Sequence, residues 1–214
     1  MRRLTHLVFQ PASRLVRLVL GEKRLVIDPQ TAEDFQAQMP VFEDLDGTVC
    51  TGLWAILDHV EGNYPDNPLI PEDAVERGEA LRWLDWAGTV LTDQVTRKIV
   101  FEKANPRYTG NPTRSTPDMN VIRSGRDALR DMIPQLAAVM DERGNLVSRV
   151  CTIADLALAA HLSALDYFGE IAWDANPSLK EWYMRMKSRP AFRSLLADRV
   201  PGQPPTKYYA ELDF

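Results

Sequence analysis

The chain is poor in the residues that bind metals and lacks long apolar runs. Its 214 residues include only two cysteines and three histidines. No two histidines stand four residues apart, and Cys50 and Cys151 are far apart in the chain. This spacing argues against a metal site and favours a reduced, cytoplasmic protein. No apolar stretch approaches the roughly 18 residues that a membrane-spanning helix needs, so we expect no membrane insertion.

Acidic residues outnumber basic ones, and the formal net charge of −5 argues against nucleic acid as the main partner. The charge is uneven, because residues 97–130 hold eight Lys or Arg and only three Asp or Glu. This stretch, called the basic segment below, can steer an acidic protein partner toward the chain. For any single side chain in it, a solvated helical face is the alternative interpretation. The candidate protein contacts are Arg97, Lys98, Arg123, Arg126 and Arg130.

The first third of the chain has the pattern of a small α/β domain, in which apolar runs alternate with turn signals. The predicted strands span residues 4–9, 24–28, 41–43 and 48–50, and the predicted helices span residues 12–22 and 54–60. The pair Asp46-Gly47 between the last two strands is typical of a hairpin turn. Two prolines within residues 64–68 then stop regular structure and predict a linker.

The remainder is predicted to be helical. The predicted helices cover residues 72–104, 116–142, 152–165, 177–188 and 191–198. We expect Thr116 to cap the second of these helices, and Thr152 with Asp155 to form a capping box on the third, which is apolar enough to be the core helix. The first helix carries two apolar stripes, one of which includes Trp83 and Trp86. Two stripes suit a helix that lies between its own domain and a dimer partner.

Residues 39–43, 46–49 and 55–58 resemble the thioredoxin-like half of glutathione transferases. The resemblance implies an α/β N-terminal domain with a reduced second helix, followed by an all-helical domain. The implied boundaries are 1–66 for the thioredoxin-like domain, 67–200 for the helical domain and 201–214 for an extended tail. It also implies that Gly52-Leu53 occupies the place where the family has an acidic residue and a serine, which hold the ends of the γ-glutamyl group of glutathione.

The resemblance implies that Gln10 and Ser13 lie where the family activates the thiol of glutathione, and that Pro40 is its cis proline. Ser13 as a helix cap is the alternative. Because the anchor at Gly52-Leu53 is missing, we expect no cofactor, no catalytic residue and only a vestigial glutathione site. The competing hypothesis is a glutathione-dependent transferase or thiol lyase that uses Ser13 as the activator and Thr51 as a substitute anchor.

The second half of the chain resembles a more specific group: glutathione-transferase-like bacterial cell-division proteins that bind FtsZ polymers. Residues 162–169, 187–190, 196–202 and 209–214 carry this resemblance. It implies a homodimeric, non-catalytic adaptor in the cytoplasm at the division site, which would promote filament curvature or bundling and help to activate constriction. A generic dimeric interaction module with another client is a third possibility.

The tail is the other candidate for a protein contact. Its prolines exclude a helix and leave an extended strap, yet it is richer in aromatic residues than a disordered tail usually is. It therefore either packs on its own body or docks on a second division partner, and the resemblance favours docking. The residues proposed for that contact are Tyr209, Leu212, Asp213 and Phe214.

Overall fold

The fold begins with a four-stranded mixed sheet, here in a computed structural model that describes residues 1–32, 39–104 and 116–212. The strands are β1 (Arg2–His6), β2 (Ile27–Thr31), β3 (Val41–Glu43) and β4 (Val49–Thr51). They lie in the order β2-β1-β3-β4, with β1 and β2 parallel and the other pairs antiparallel. The predicted thioredoxin-like arrangement is confirmed. The predicted shortening of the second helix falls on residues 33–38, outside the described residues.

Helices make up most of the rest of the chain. They are α1 (Pro11–Glu22), α2 (Leu53–Asn63), α3 (Ala74–Trp86), a π-helical segment (Ala87–Phe101), α4 (Glu102–Ala104), α5 (Met119–Arg143), α6 (Ile153–Tyr167), α7 (Pro177–Lys187) and α8 (Arg193–Leu196). The predicted class, a thioredoxin-like domain followed by a helical one, is therefore correct. The domain boundaries at residues 66 and 200 stay a prediction.

The second strand lies three residues later than the sequence predicts. Residues 24–25 form the C-terminal cap of α1 instead of the start of the strand. Leu25 N–H donates to the carbonyl of Leu20, and Arg24 N–H donates to the carbonyl of Gly21. These two hydrogen bonds form a Schellman motif, which needs a residue in the left-handed conformation after the cap. Arg24 takes that conformation with φ = 57°. Glycine is the residue that usually marks this turn in a sequence. With arginine at the position, the sequence gives no sign that the helix ends there.

The hairpin and the core helix form as their local signals predict. Gly47 has φ = 86° in the turn between β3 and β4, a conformation that glycine adopts without strain. At the start of α6, the Thr152 hydroxyl accepts from Ala154 N–H, and the Asp155 carboxylate accepts from Thr152 N–H at 2.9 Å. Every residue of α6 is buried, and the helix packs against α1, α3 and the π-helical segment. It is therefore the centre of the fold.

The N-terminus of α5 differs from the predicted one. Asp118, not Thr116, is the N-cap residue, and its carboxylate accepts hydrogen bonds from Asn120 N–H and Val121 N–H. A carboxylate forms stronger hydrogen bonds than a hydroxyl and also interacts favourably with the helix dipole. The helix therefore begins at Met119, two residues later than a cap at Thr116 implies.

The helix predicted over residues 72–104 changes its winding part of the way along. It begins as an α-helix after the Asp73 cap and continues as the π-helical segment from Ala87 onward. In that segment, Ala87, Leu91, Val95 and Ile99 are buried at a constant spacing of four. In an α-helix of 3.6 residues per turn, a buried stripe needs steps of both three and four residues. Steps of four alone keep one face toward the core only when each turn contains more residues, as it does in a π-helix.

Candidate functional site

Ser13 lies at the start of α1 with both of its hydrogen-bonding functions engaged inside the protein. Its hydroxyl donates to Gln10 Oε1 at 2.7 Å and accepts from Leu7 N–H at 3.2 Å. The side chain is completely buried. Ser13 does not cap the helix either, because Gln10 occupies the N-cap position. The hydroxyl ties the loop between β1 and α1 together, and its proton is not directed at a ligand.

At the positions that hold glutathione in the resembling family, the backbone geometry is present but the binding side chains are missing. The Met39-Pro40 peptide is cis, as predicted. Gly52 donates its N–H to Pro40 O at 2.8 Å and occupies the N-cap position of α2 with φ = 85° and ψ = 160°. Only glycine populates this region readily. Gly52 supplies no side chain to cap the helix, and Leu53 supplies an apolar one, so a γ-glutamyl group meets neither the serine nor the acid of the family.

Neither cysteine is poised for thiol chemistry. Burial raises the pKa of Cys151 to about 12, and burial likewise raises the pKa of Cys50. A thiol with a raised pKa holds almost no thiolate at neutral pH, and the thiolate is the nucleophile. Within the described part of the chain, no group of three or more His, Cys, Asp or Glu side chains could hold a metal ion.

A cavity of about 290 Å³ lies where α1, α2 and the helical half meet. Gln10, Leu53 and Trp54 line it from the N-terminal half. The π-helical segment and α6 close the other side, where the lining includes Gly88 and His161. A cavity therefore lies beside two of the vestigial glutathione positions, Gln10 and Leu53.

His161 is the buried polar group that faces this cavity. Its Nδ1 lies 2.8 Å from Thr96 Oγ1, and burial lowers its pKa to about 3. The imidazole is consequently neutral at physiological pH. One of its two ring nitrogens, Nδ1, has a partner within the described ranges.

The basic segment is less available than its composition indicates. Arg126 donates two hydrogen bonds, of 2.7 and 2.8 Å, to the carboxylate of Glu170, which also pairs with Lys103. Burial opposes the ionisation of Glu170, but the bonds from the two cations outweigh it and lower its pKa. Arg126 therefore joins α5 to the end of α6 and is largely neutralised.

Of the other predicted basic contacts, Arg97, Arg123 and Arg130 are exposed, and Lys98 is partly buried. Lys98 donates to Ser124 Oγ at 3.1 Å, and Arg130 pairs with Asp127 at 3.0 Å on the exposed face of α5. Arg123 is exposed on the same helix. Arg97 lies apart from them, beside the cavity. The structure thus places Lys98 against Ser124, the residue that follows Arg123, at the contact between the π-helical segment and α5. The segment's Arg107 and Arg114 lie outside the described residues.

A second concavity, of about 430 Å³, separates α3 from α5. Its apolar lining is Trp83, Trp86, Met132, Leu136 and Val139. The two indole rings meet edge to face with centroids 5.4 Å apart and are only partly buried. The two tryptophans of the predicted second stripe are therefore partly exposed in the single chain, next to charged Glu79 and Arg82.

The tail is fastened to the body through Arg14, a residue that the sequence interpretation missed. Arg14 is fully buried and uses all three guanidinium nitrogens. It donates to Ser163 Oγ, to Asp198 Oδ2 and to the hydroxyl of Tyr209, at 2.8–2.9 Å. The only signal in the sequence is a charged residue inside the apolar run of α1.

Tyr209 is part of the core. Its side chain is fully buried, and its hydroxyl donates to Leu195 O at 2.9 Å. It was predicted as a contact for a partner, and its burial instead supports the alternative in which the tail packs on its own body. Leu212 is 43% exposed. The remaining predicted tail contacts, Asp213 and Phe214, lie outside the described residues.

Comparison with known proteins relates the chain to one group of glutathione-transferase-like proteins. No family model matches it. It is 37% identical to FtsZ-localized protein A of Caulobacter vibrioides, over 100% of this chain and 98% of that protein. The structure of FzlA from C. crescentus superimposes with a TM-score of 0.91 at 36% identity, covering 100% and 99% of the two chains. A glutathione S-transferase structure from Rhodospirillum rubrum gives 0.91 at 33%, covering both chains fully.

Proposed function

The chain belongs to the FtsZ-localized protein A family, and from this premise we propose that it is a non-catalytic, dimeric adaptor that binds FtsZ polymers. In this proposal it acts in the cytoplasm at the division site, where it promotes filament curvature or bundling and helps to activate constriction. The observation that carries the proposal is the identity to FtsZ-localized protein A along the whole chain, which includes the tail.

The state of the glutathione positions supports an adaptor rather than an enzyme. The Ser13 proton is directed to Gln10 Oε1, and the N-cap of α2 is Gly52. Each missing charge-assisted hydrogen bond typically weakens binding by about one to two orders of magnitude. A protein that has lost these contacts and kept its fold is expected to act through its surface.

Dimerisation is proposed through the groove between α3 and α5. The half-buried Trp83 and Trp86 present apolar area there, and aromatic residues are enriched at the centres of interfaces. A dimer places two FtsZ-binding surfaces in one particle, so avidity can cross-link or bend filaments without tight single contacts.

The FtsZ contact is proposed around Lys98 and Arg123, with Arg130 as the next cation along α5. Acidic polymers are attracted to such a surface over several ångströms, and the attraction weakens with salt. Arg126 contributes less than its position suggests, because Glu170 already holds its guanidinium. The tail residues Leu212, Asp213 and Phe214 are proposed to bind a second division partner.

Co-pelleting with GTP-assembled FtsZ tests the adaptor proposal. We expect the wild-type chain to sediment with the polymers. We expect the double variant Arg123→Ala, Arg130→Ala to sediment less and to show a flatter dependence on salt. Arg149→Ala removes another exposed arginine outside the basic segment and serves as the matched control. Failure of the wild-type chain to sediment would contradict the proposal, and an unaffected double variant would contradict this surface.

The dimer is tested separately with Trp86→Glu. Placing a carboxylate in the apolar groove should produce a monomer in analytical ultracentrifugation, because an unpaired charge is costly to bury. The monomer should still sediment with FtsZ polymers but should no longer bundle them. A dimer that persists in this variant would exclude the groove as the interface.

The transferase alternative predicts different results in a single set of assays. A glutathione-dependent enzyme would be retained on glutathione resin and would turn over a chlorodinitrobenzene-type substrate. Turnover would be lost in Ser13→Ala, which removes the activator, and retention would be weakened in Thr51→Ala, which removes the substitute anchor. We expect neither property in the wild-type chain. Retention together with turnover would overturn the non-catalytic part of the proposal and would leave the co-pelleting result unaffected.

A further inference from the structure

Another concavity, of about 610 Å³, lies between α5 and the segment that joins α6 to α7. It is called the Pro134 groove below. Its apolar lining comes from both sides, with Leu129, Ile133 and Pro134 on α5 and Ile171 and Ala172 on the connecting segment. Among the described residues, it shares no lining residue with the groove between α3 and α5. The Pro134 groove is therefore a separate surface of the helical half.

Pro134 leaves one backbone carbonyl of α5 without its helical donor. A proline has no N–H, so the carbonyl four residues earlier, that of Arg130, cannot accept the usual hydrogen bond of an α-helix. Pro134 is exposed, and both residues line the groove. This side of the helix therefore carries a backbone acceptor that the helix itself does not satisfy.

The opposite wall carries a free donor and a free acceptor on one residue. Ile171 lies outside the helices and strands, and neither its N–H nor its carbonyl has a hydrogen-bond partner among the described residues. In an antiparallel pairing, the N–H and carbonyl of one residue together form two hydrogen bonds to the neighbouring chain. Backbone groups seldom stay unpaired, and an unpaired edge can receive an added strand. The groove therefore suits an extended peptide.

The charged residues at the groove favour an acidic partner. Those that line it are Arg126, Arg130 and Glu170, and Glu170 is already paired with both Arg126 and Lys103. The Arg130 side chain is 75% exposed and pairs with Asp127 at 3.0 Å in a surface contact, which typically contributes little. Arg130 can therefore turn to a carboxylate of a partner. The two cations at Glu170 also exceed its charge by one.

We propose that the Pro134 groove binds an extended acidic segment of a protein partner. The backbone of the segment exchanges hydrogen bonds with Ile171 and donates one to the Arg130 carbonyl. Its apolar side chains pack against Leu129 and Ile133, and the acidic side chains between them reach the Arg130 guanidinium. The inference goes beyond the proposed adaptor function, because it rests on the groove and does not require the partner to be FtsZ.

Fluorescence anisotropy with a fluorescein-labelled Glu-Val-Glu-Val-Glu-Val peptide tests the proposal on the full chain. We expect saturable binding that weakens as the salt concentration rises. The matched Lys-Val-Lys-Val-Lys-Val peptide has the same apolar side chains, and it should bind at least about tenfold more weakly. No binding of the acidic peptide at millimolar protein, or equal binding of the two peptides, would overturn the proposal.

Charge reversal at the rim tests the role assigned to Arg130. Arg130→Glu should weaken binding of the acidic peptide at least about tenfold, because it replaces an attraction by a repulsion. Arg149→Glu makes the same change of net charge at an exposed arginine outside the groove lining, and it should bind as the wild type does. Equal weakening in the two variants would mean that only net charge matters and would refute the site.

Pro134→Ala separates binding from folding. Alanine supplies an N–H for the Arg130 carbonyl and favours the helix, so the urea midpoint of unfolding should rise. Binding of the acidic peptide should nevertheless weaken by about threefold or more, because the carbonyl is no longer free. A variant that is more stable and binds less well cannot owe its weaker binding to misfolding. Unchanged affinity in Pro134→Ala would contradict the proposed geometry.

Amide hydrogen exchange measured by NMR locates the bound peptide. The Ile171 amide should exchange rapidly in the free chain and become protected when the acidic peptide is added at saturation. An Ile171 amide that stays unprotected would place the peptide elsewhere and refute the site. These assays contain no FtsZ, so their failure and a failure of co-pelleting can be told apart.

Discussion

Arg14 and His161 are two buried polar residues at the core helix α6, and they differ in how many of their side-chain nitrogens have a hydrogen-bond partner inside the protein. Arg14 reaches Ser163 on α6, and each of its guanidinium nitrogens has a partner inside the protein. His161, two residues earlier on that helix, has one nitrogen bound to Thr96 and the other facing a cavity. A centre whose hydrogen bonds all lie inside the protein fixes the packing around it, whereas His161 contributes to stability as a buried neutral ring. The predictions that follow test the two centres and the groups around them, from the largest expected effect to the smallest.

Replacing the completed centre should cost the most stability. Arg14→Met removes a fully buried cation and leaves Tyr209 and Ser163 without their donor. Removing one partner of a buried ionic centre typically costs about 3–5 kcal/mol. Urea denaturation should show a loss of this size. The exposed-site variant Arg149→Met should stay within about 0.5 kcal/mol of the wild type. A loss below about 1 kcal/mol in Arg14→Met would show that this centre is not a main source of stability.

The two centres should also differ in their response to pH. Burial lowers the pKa of His161 to about 3 in the folded chain, whereas the unfolded value is about 6.5. Below pH 6.5 the unfolded state binds the proton first, so stability falls as the pH falls toward 3, by up to about 1.4 kcal/mol per pH unit. Arg14 stays charged throughout this range. The free energy of unfolding between pH 7 and 5 should therefore fall less steeply in His161→Phe.

His6 adds a similar response and provides an internal check. Burial, together with the positive charge of Arg17, lowers its pKa to about 4. His6→Gln should likewise reduce the slope between pH 6.5 and 4. Equal slopes in the wild-type chain and in both variants would show that neither buried imidazole is held neutral by the fold.

The anchoring of the tail is tested by a matched pair of tyrosines. Tyr209→Phe removes a hydroxyl that accepts from Arg14 and donates to Leu195 O, and an unmatched buried donor costs about 1–3 kcal/mol. Tyr208→Phe changes a neighbouring side chain that is 48% exposed, and it should cost less than about 0.5 kcal/mol. Similar losses in the two variants would mean that the Arg14–Tyr209 contact does not hold the tail.

The smallest effect is expected at Ser13. Ser13→Ala leaves Leu7 N–H and Gln10 Oε1 without their partner, at a cost of about 1 kcal/mol. Because the hydroxyl acts inside the loop, FtsZ co-pelleting should not change. A loss of co-pelleting with stability intact would assign Ser13 a functional role that its geometry does not indicate.

Local signals predicted the parts of the fold that depend on neighbouring residues. The capping box at Thr152 and the hairpin at Gly47 each depend on residues only a few positions apart, so both can be predicted from the sequence alone. The second strand was misplaced because Arg24 takes a conformation that usually marks glycine. The π-helical segment was predicted as ordinary helix, because the spacing of its apolar residues also fits an α-helical stripe.

The candidate site was only partly predictable. The cis proline followed from the resemblance at residues 39–43. The cation at Arg126 was assigned to a partner, and the structure instead shows it held by Glu170, 44 residues away. Charge in a sequence can be counted, but whether a charge is already neutralised depends on which elements pack together.

The sequence by itself determined what is missing from the glutathione positions, because no packing can restore a carboxylate or a hydroxyl to Gly52 and Leu53. Only the tertiary structure decided which of the remaining polar groups are available. Arg14 meets Ser163 across 149 residues and Tyr209 across 195. A hydrogen bond belongs to a pair, and for distant pairs the packing of helices brings the second member into place. The same packing left one nitrogen of His161 at the edge of a cavity, with no partner in the part of the chain that the structure describes.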